Sequence, residues 1–328
     1  MGVTAGTIQT YAYATLREDL SSAENMISPT ETPFMTATKK VKAKNKLHEW
    51  PLTELGAVET NRVIEGEAAP AINAGVTPFR RQNYCQISDK VILISDSTPK
   101  HDDAAGTESL AKQISYKLKE LKRDKETMLL DNVAASAGSA STARISAGFG
   151  AFLITNPVRA AAGSPVAPTL SNSPRTGDGY PNAAATAGTA EALTEANFNL
   201  AMMNAWNAGG NPKYAYVTAA HKRKISTTFV ANATRYKSAD DKKLIAAIDV
   251  YESDFGQVQI VPDRFMHANS IYLVDPEYVA IATLMETRQV PLARTGHAES
   301  ILIQCEYCLE VGNEKAHSGV MNLTSTGS

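Results

Sequence analysis

The segment TESLAKQISYKLKELKRDKETMLLDNVAASA, residues 107–137, runs for thirty-one positions without a glycine or a proline. Apolar residues recur in it at helical spacing, while lysines, an arginine and carboxylates, Glu126 among them, fill the rest. The apolar stripe consists of Leu110, Ile114, Leu118, Leu121, Met128 and Leu129. At a rise of ~1.5 Å per residue the pattern predicts one helix about 45 Å long, with Thr107 as N-cap and Gly138 as stop. Lys125 interrupts the stripe after two heptads, so the segment predicts a single helix lying across a sheet rather than a coiled coil.

Charge and hydropathy argue against two kinds of partner. The 328 residues are 20% charged with a formal net charge of −2, so no global basic excess indicates nucleic acid as the main partner. The longest apolar run, residues 91–94, is much shorter than a membrane span. The N-terminus shows no basic region followed by an apolar stretch, so we expect neither a signal peptide nor a membrane partner.

The three cysteines, Cys85, Cys305 and Cys308, do not indicate a disulfide framework. Cys305 and Cys308 have the C-x-x-C spacing, but alternating apolar residues from 301 to 311 predict a strand there. Residues three apart on a strand point to opposite faces, so we expect structural thiols rather than a shared metal ion.

The sequence contains no complete catalytic or cofactor-binding motif of the common types. His48 and Glu49 begin a metalloprotease pattern that Leu52 does not complete, and Leu153 stands where a third glycine should follow Gly148 and Gly150. The six histidines have no ligand spacing. We therefore expect no catalytic residue, no metal site and no cofactor. An enzyme or a carbohydrate-binding α+β protein is kept as the alternative from another class.

Residues 1–45 predict an arm that is ordered by packing on another part of the structure. They are too poor in apolar residues to form a core of their own. The expected anchoring residues are Ile27, Pro29, Pro33 and Phe34, and the two prolines are expected to impose extended or turn conformations. A lysine cluster follows at positions 39–46, which either meets phosphates or stays solvated.

Residues 46–95 predict two strands, 46–51 and 80–95, joined by a long connection. The apolar run 91–94 at the end of the second strand is expected to enter a core. The connection carries four glutamates against one arginine, and long connections of this kind are usually functional or mobile. Two interpretations stay open: a projecting acidic hairpin that docks on a neighbouring molecule, or a floppy surface loop. The candidate inter-subunit contacts are Trp50, Glu54, Glu59, Glu65, Glu67, Arg80 and Arg81.

The second half of the chain predicts mixed helices and strands. Residues 138–193 are rich in alanine, glycine, serine and proline and predict an extended connection or insertion. Thr194 is the expected N-cap of a helix over 195–208, and a basic helix is expected from 219 to about 230. Strand patterns follow at 257–261, 270–274, 278–284 and 300–311. Without a regular βαβ repeat, the pattern favours an α+β fold.

An arm, a long hairpin, a long helix and a mixed domain, in that order, make the chain resemble a tailed-bacteriophage major capsid protein of the Hong Kong 97 type. The resemblance is closest to the SU-ten-like branch and covers nearly the whole chain. The residues that carry it are LREDL (16–20), ISPTETPF (27–34), LHEW (47–50), NAGGNP (207–212), NATRY (232–236), DVYESDFG (249–256), DPEY (275–278) and NEKAH (313–317).

The resemblance implies a division of the chain and a function. Residues 1–45 would be the N-terminal arm and 46–95 the extended loop over an adjacent subunit. Residues 96–137 and 286–328 would form the peripheral domain with a spine helix at 107–137, and 194–285 the axial domain. The implied function is a capsid subunit that forms hexamers and pentamers of an icosahedral or prolate head around double-stranded DNA.

The resemblance also implies partners and a location. The expected partners are other copies of the chain, a separate scaffolding protein, a portal, a decoration protein, and packaged DNA contacted without base specificity. The expected location is the virion capsid, assembled in the bacterial cytoplasm. A cellular encapsulin-like nanocompartment shell uses the same fold and is the nearest alternative.

Overall fold

The computed structural model describes residues 28–56, 58–60, 62, 64–66, 75–100, 109–159, 162–229, 249–294 and 296–326. Ile27, Glu67 and Thr107, which carry sequence predictions, lie outside these ranges, as does the segment NATRY. The helices are α1 (Pro33–Ala37), α2 (Leu110–Leu130), α3 (Phe149–Phe152), α4 (Glu195–Asn207) and α5 (Ala219–Thr228). Short 3-10 helices lie at Thr98–Lys100, Pro276–Tyr278 and Glu314–Ala316.

The strands of the described residues belong to two larger sheets and two small ones. They are β1 (Lys39–Lys42), β2 (Leu47–Leu52), β3 (Phe79–Tyr84), β4 (Gln86–Ser95), β5 (Val158–Arg159), β6 (Thr169–Leu170), β7 (Pro181–Ala183), β8 (Tyr214–Val217), β9 (Val250–Ser253), β10 (Gly256–Pro262), β11 (Ser270–Val274), β12 (Val279–Pro291), β13 (Ala298–Val311) and β14 (Ser318–Met321). Helices and strands alternate irregularly along the chain, as expected for an α+β fold.

A four-stranded sheet with the order β1-β12-β13-β4 supports the long helix α2. Strand β1 runs parallel to β12, and the other pairs are antiparallel. Because side chains alternate between faces, Ile92 of β4 enters the core while Val91 and Leu93 lie 54% and 66% exposed on the other face. The prediction that the run 91–94 enters the core as a whole was therefore wrong.

A six-stranded sheet with the order β5-β14-β11-β8-β10-β9 forms the second layer. All five residues of β11 are buried, since apolar clusters cover both of its faces. On one face Ile271 and Leu273 join the cluster around Phe198 of α4. On the other face Tyr272 joins the cluster that includes α2 and the four-stranded sheet. The central strand of this sheet thus links two hydrophobic cores.

Helix α4 was predicted closely because its signals are local. Thr194 adopts an extended conformation, and its hydroxyl accepts a hydrogen bond from the backbone N–H of Asn197 at 3.2 Å. The backbone N–H of Gly210 donates to the Ala205 carbonyl just past the helix end. The cap and the glycine stop that define this helix in the structure are the ones that the sequence contains.

Helix α2 is shorter than predicted and ends at Leu130 rather than near Gly138. Its end is decided by a distant segment, because the Asp131 carbonyl accepts from Gly150 N–H and the Val133 carbonyl from Gly148 N–H, at 3.2 and 3.1 Å. The Asn132 side chain is held at both ends by the backbone of Ala185. These tertiary hydrogen bonds replace the helical ones that residues 131–137 would otherwise make.

The buried face of α2 also differs in part from the predicted stripe. Leu121, Leu129 and Leu130 are buried, whereas Leu118 and Met128 are 36% and 47% exposed. Glu126, expected on the charged surface, is fully buried. Leu110 and Ile114 of the predicted stripe pack against the same core, so periodicity identified the buried face but was wrong for Leu118, Met128 and Glu126.

The second hairpin strand was predicted as one element, 80–95, and the structure divides it at Cys85. Residues Phe79–Tyr84 pair with β2, but Gln86–Ser95 pair with β13 in the four-stranded sheet. Only the part up to Tyr84 therefore belongs to the hairpin. A continuous strand pattern in the sequence does not show where the strand changes its pairing partner.

Strand pairing also departs from the predicted division of the chain. Strand β12 lies as a whole in the four-stranded sheet, so a boundary at 285/286 would cut through it. Strand β13 pairs with β12 and β4 in the four-stranded sheet, whereas β14 pairs with β11 in the six-stranded sheet. Residues 138–159 and 162–193, which the sequence could not place, wrap the core and pair with the hairpin, β14 and each other.

Gly148 provides a test of how the end of α2 is determined. A Cβ at this position would lie 2.2 Å from the Asp131 carbonyl oxygen and 3.0 Å from that of Met128. We expect Gly148→Ala to destabilise the subunit by about 1–3 kcal/mol, the usual cost of overpacking. Gly56→Ala is the matched control because nothing lies within 4 Å of its Cβ position. Chemical denaturation of both variants measures the difference, and equal stability would contradict this account of the helix end.

Candidate subunit interface

The base of the hairpin formed by β2 and β3 packs against the rest of the subunit through Trp50. Leu47 pairs with Tyr84 at one end and Leu52 with Phe79 at the other, so residues 53–78 connect the far ends of the two strands. Trp50 is 6% exposed, and its indole Nε1 donates to the Val311 carbonyl at 2.8 Å. Because this side chain is buried within its own subunit, the structure does not place Trp50 where a neighbouring molecule could contact it.

A later segment of the chain joins the hairpin through an isolated parallel bridge between Gly179 and Arg81. The backbone N–H of Gly179 donates to the Arg80 carbonyl at 2.8 Å, and Gln82 N–H donates to the Gly179 carbonyl at 3.1 Å. Asp178 accepts the Arg80 backbone N–H at 2.7 Å and an Arg175 side-chain N–H at 3.1 Å. These hydrogen bonds lower the pKa of the Asp178 carboxyl, with the Arg80 backbone N–H as the largest cause. The sequence offered no signal for this clamp, because its partners are about a hundred positions apart.

The two arginines of β3 have different surroundings. The Arg80 side chain is exposed, with Nη1 at 3.7 Å from the Glu49 carboxylate, and can reach a second molecule. Arg81 is half-buried and donates through Nη1 to the Gly177 carbonyl. Burial lowers the pKa of Arg81, and the carboxylates of Glu314, Glu54 and Asp178 oppose that shift. The structure thus leaves Arg80 available at the surface and uses Arg81 within the subunit.

The predicted acidic contacts do not form one cluster. Glu54 accepts a hydrogen bond from Lys315 Nζ at 2.7 Å, which ties the start of the loop to its own subunit. Glu59 and Glu65 are exposed. Of the four glutamates, these two are the ones that the structure describes as free to meet another surface.

Apolar side chains in the hairpin loop are the feature that sequence reasoning missed. Leu55 is 87% exposed, Val58 is fully exposed, Ile64 is 76% exposed and Val76 is 53% exposed. Single exposed apolar residues are ordinary, but four on one loop indicate a surface that is covered in an assembly. The sequence signal for this feature is the set of aliphatic residues interspersed with the glutamates in residues 53–78.

Phe34, one of the expected anchoring residues of the arm, lies in the core. Its ring is fully buried and contacts the rings of Phe149 and Tyr216 edge-on, at centroid distances of 5.9 and 5.4 Å. Pro33 begins helix α1, where a proline ring suits the first turn. An extended or turn conformation was expected for the neighbours of Pro33; Thr32 before it is non-helical, with φ −133° and ψ 77°, whereas Phe34 after it is helical. Pro29 is half-buried ahead of this helix.

Glu126 of α2 holds the arm in place through its carboxyl group. Its two oxygens accept the backbone N–H groups of Phe34 and Met35 at 2.7 and 2.9 Å. These are first-turn donors of α1 that have no partner within the helix. The contact joins positions more than ninety residues apart, and it satisfies the polar atoms of a carboxyl that would otherwise be costly to bury.

A second carboxyl, Asp263, lies beside Glu126 just after strand β10. Its Oδ1 accepts Phe265 N–H at 2.8 Å, while the buried Oδ2 receives no other donor among the described residues. Burial is the main cause that raises the pKa of Glu126 to about 8, and the nearby Asp263 raises it further. Burial also raises the pKa of Asp263. Burial and the neighbouring carboxyl therefore both favour the protonated form of Glu126.

The lysine cluster of the arm lies on an open sheet edge. Strand β1 pairs with β12 on one side only, and all four of its residues are exposed. Lys39 Nζ donates to the Glu277 carbonyl at 3.0 Å. The exposed positions are compatible with both interpretations of this cluster, phosphate contact and solvation.

Other chemical sites were sought within the described part of the chain. No group of three or more histidine, cysteine or acidic side chains there is placed to hold a metal ion. Helices that are both long and apolar enough to cross a membrane are not found in those ranges either. A shallow groove of about 430 Å³ between β4 and α2 is lined mainly by aliphatic and hydroxyl side chains with one lysine, and holds no acid–base pair.

This combination of features defines a class of protein. A buried arm anchor, a clamped hairpin with an apolar loop, a long helix on a four-stranded sheet and a separate six-stranded sheet constitute a shell subunit of the Hong Kong 97 type. Residues 3–324 match the family described as SU10 major capsid protein. The chain belongs to this family.

Individual relatives agree with that assignment. The major capsid protein of Escherichia phage Phieco32 is 31% identical over 111 residues, a match that spans 34% of this chain and 31% of that protein. The capsid subunit of cyanophage A-1(L) has a similar structure, with a TM-score of 0.62, 15% identity and coverage of 94% of this chain and 97% of that one. The SrpI encapsulin of Synechococcus elongatus PCC 7942 reaches a TM-score of 0.54 at 9% identity, covering 98% and 97%. The predicted fold class and the family resemblance are confirmed.

The paired carboxyls predict how the subunit responds to pH. A carboxyl with a raised pKa binds its proton more tightly in the folded chain than in the unfolded one. Its contribution is therefore most favourable below its ordinary pKa of 4.5 and is lost as the pH rises towards about 8. We expect Glu126→Gln, which keeps a donor for Asp263 and an acceptor for Phe34, to flatten the fall in stability between pH 5 and pH 8.

The measurement is urea denaturation of unassembled subunit at several pH values. Glu126→Ala serves as the comparison, because it removes the arm contacts and should lower stability at every pH by about 1–3 kcal/mol. If the stability of Glu126→Gln fell with pH as steeply as that of the wild type, the raised pKa of Glu126 would not be the cause of the fall.

Proposed function

We propose that this protein is the major capsid protein that builds the head shell of a tailed phage. Membership of the SU10 major capsid protein family supports this function. The observation that carries it is the exposure of Leu55 and Val58, which follow the clamped strand β2 and are almost fully exposed. A neighbouring copy that covers these aliphatic side chains would remove them from water, so we propose that ordering of this segment and assembly are coupled.

In the proposed assembly each subunit lays its 53–78 loop on an adjacent copy. Arg80, Glu59 and Glu65 lie at or near this loop and set the register through weak, exposed charge pairs. Glu67 is proposed to act with them on the same grounds of charge. Repetition of one contact around five-fold and six-fold centres then closes an icosahedral or prolate shell.

The remaining partners are also proposals. Packaged double-stranded DNA would meet the inner surface through scattered lysines and arginines without base specificity. A separate scaffolding protein, a portal and a decoration protein would complete the head, which would assemble in the bacterial cytoplasm. We propose no enzymatic activity, and the family assignment favours a structural role.

A nanocompartment shell is the second candidate because an encapsulin has the same fold. The family match favours the phage shell over this alternative. An enzyme or a carbohydrate-binding protein has no supporting site in the described residues.

Negative-stain electron microscopy of the purified protein, with particle mass measured over a range of concentration and salt, tests the proposal. Closed shells, rings of five or six subunits, or regular sheets are the expected result, and co-purified DNA against enzyme cargo separates the two kinds of shell. A protein that stays monomeric in all conditions, even with a co-expressed scaffold, would overturn it.

Removal of the loop tests its role in assembly. We expect a variant in which an Asn-Gly turn replaces residues 53–77 to keep its fold, since that dipeptide favours a tight turn between antiparallel strands such as β2 and β3. The same variant should fail to form closed shells. Circular dichroism and thermal unfolding check the fold, and electron microscopy checks the shells. Normal shells would remove the loop from the mechanism.

Charge reversal tests how the loop is positioned. We expect Glu59→Lys combined with Glu65→Lys to reduce shell yield most at low ionic strength, because salt screens exposed charges beyond about 10 Å at 0.1 M. Glu54→Gln is the matched control, since Glu54 pairs with Lys315 of its own subunit. Light scattering during assembly across a salt series measures the effect. A salt dependence identical to the wild type would argue against a charge-guided contact.

A further inference from the structure

Two cysteines meet at the base of the hairpin although they are 223 positions apart. Cys85 lies between β3 and β4, and Cys308 lies on β13. Their sulfur atoms are 3.3 Å apart, and neither residue is exposed to solvent. Both thiols are free. The contact places a reactive pair at the point where the chain passes from the hairpin into the four-stranded sheet.

A small apolar cluster surrounds the pair. Ala43 and Ala282 are buried with the two cysteines, and the partly buried Leu284 packs against them. A disulfide bond of ~2.05 Å requires the two sulfur atoms to come about 1.3 Å closer. The Cys85 backbone is held by its N–H, which donates to the Lys46 carbonyl at 2.8 Å.

The third cysteine is positioned differently. Cys305 is buried on the same strand as Cys308 but on the opposite face, with its sulfur 3.6 Å from the Ser88 carbonyl oxygen. It belongs to the core beneath α2 rather than to the small cluster around Cys85. Cys305 therefore serves as an internal control, because it is as buried as Cys85 and Cys308 but its sulfur contacts a carbonyl oxygen instead of a second sulfur.

We propose that Cys85 and Cys308 are an oxidation site that forms an intrachain disulfide when the protein meets hydrogen peroxide. The bond ties the hairpin base to β13 and leaves the 53–78 loop free to reach a neighbour. This inference does not rest on the proposed capsid function, because both sulfurs belong to one chain.

The chemistry uses peroxide as the oxidant and proceeds in two steps. The Cys85 sulfur attacks one peroxide oxygen, so that an S–O bond forms, the O–O bond breaks and water leaves with the thiol proton. The Cys308 sulfur then attacks the Cys85 sulfur, so that the S–S bond forms, the S–O bond breaks and a second water leaves. Two thiols lose two hydrogens, and one peroxide becomes two waters.

The environment favours Cys85 as the attacking group. The hydrogen bond between the two sulfurs is the largest cause that lowers the pKa of Cys85. The same contact, together with burial, raises the pKa of Cys308. A thiolate is the reactive form towards peroxide, so Cys85 reacts first and Cys308 resolves the intermediate. Because both thiols are buried, the oxidant we choose is hydrogen peroxide, which is close to water in size, rather than a bulky disulfide reagent.

The test counts free thiols. Purified protein is treated with hydrogen peroxide, quenched with catalase, unfolded in guanidinium chloride with iodoacetamide, and read by intact mass and non-reducing peptide mapping. We expect three alkylated cysteines before oxidation and one afterwards, with Cys85 and Cys308 peptides linked. Cys305→Ser should fall from two to none, and Cys308→Ser should give no linked peptide.

Several results would overturn the inference. They are three free thiols in oxidised wild type, a sulfinic acid on Cys85 with Cys308 still free, a link through Cys305, or a link between chains. A second readout is the denaturation midpoint, which should rise on oxidation of wild type and Cys305→Ser and return to its starting value with dithiothreitol. If the linked peptide formed but the denaturation midpoint did not change, the proposal that the disulfide ties the hairpin base to β13 would be wrong.

Discussion

One buried carboxyl group joins parts of this molecule that are far apart in the chain. Glu126 lies on the long helix, accepts the first N–H groups of the arm helix and faces Asp263 at the end of β10. A carboxyl inside a core must be neutralised or fully hydrogen-bonded. The arm, the helix and the six-stranded sheet must therefore meet in one arrangement, and a loss of any of them leaves a polar group unsatisfied.

The aromatic rings around this junction make the arrangement rigid. Phe34 contacts Phe149 and Tyr216, and Phe149 in turn contacts Tyr272 and His317. His317 is fully buried, and burial lowers its pKa to about 3, so it stays neutral and accepts the Asp275 N–H through Nδ1. The centre of the subunit is thus a packed cluster of buried rings, whereas exposed apolar side chains such as Leu55 and Val58 lie on the hairpin loop.

The packed core and the exposed aliphatic residues of the hairpin loop connect the fold to the function we propose. The hairpin base is held by Trp50 and by the Arg80–Gly179 hydrogen bonds, whereas its loop exposes aliphatic side chains. Fold alone does not separate a phage head from a nanocompartment, since capsid subunits and an encapsulin share it. The family match over residues 3–324 favours the phage shell.

The sequence by itself determined the features that depend on neighbours in the chain. Thr194 caps α4, the alternation through residues 301–311 makes a strand with Cys305 and Cys308 on opposite faces, and Phe34 lies in the core. The ordered short motifs were enough for the family. Tertiary structure decided what depends on distant partners: the end of α2 at Leu130, the change of partner at Cys85, the burial of Glu126 and Trp50, and the return of β14 to the six-stranded sheet. The physical reason is that caps and periodicity are local properties of the backbone, while hydrogen bonds such as Gly150 to Asp131 and contacts such as Cys85 to Cys308 exist only once the chain has closed on itself.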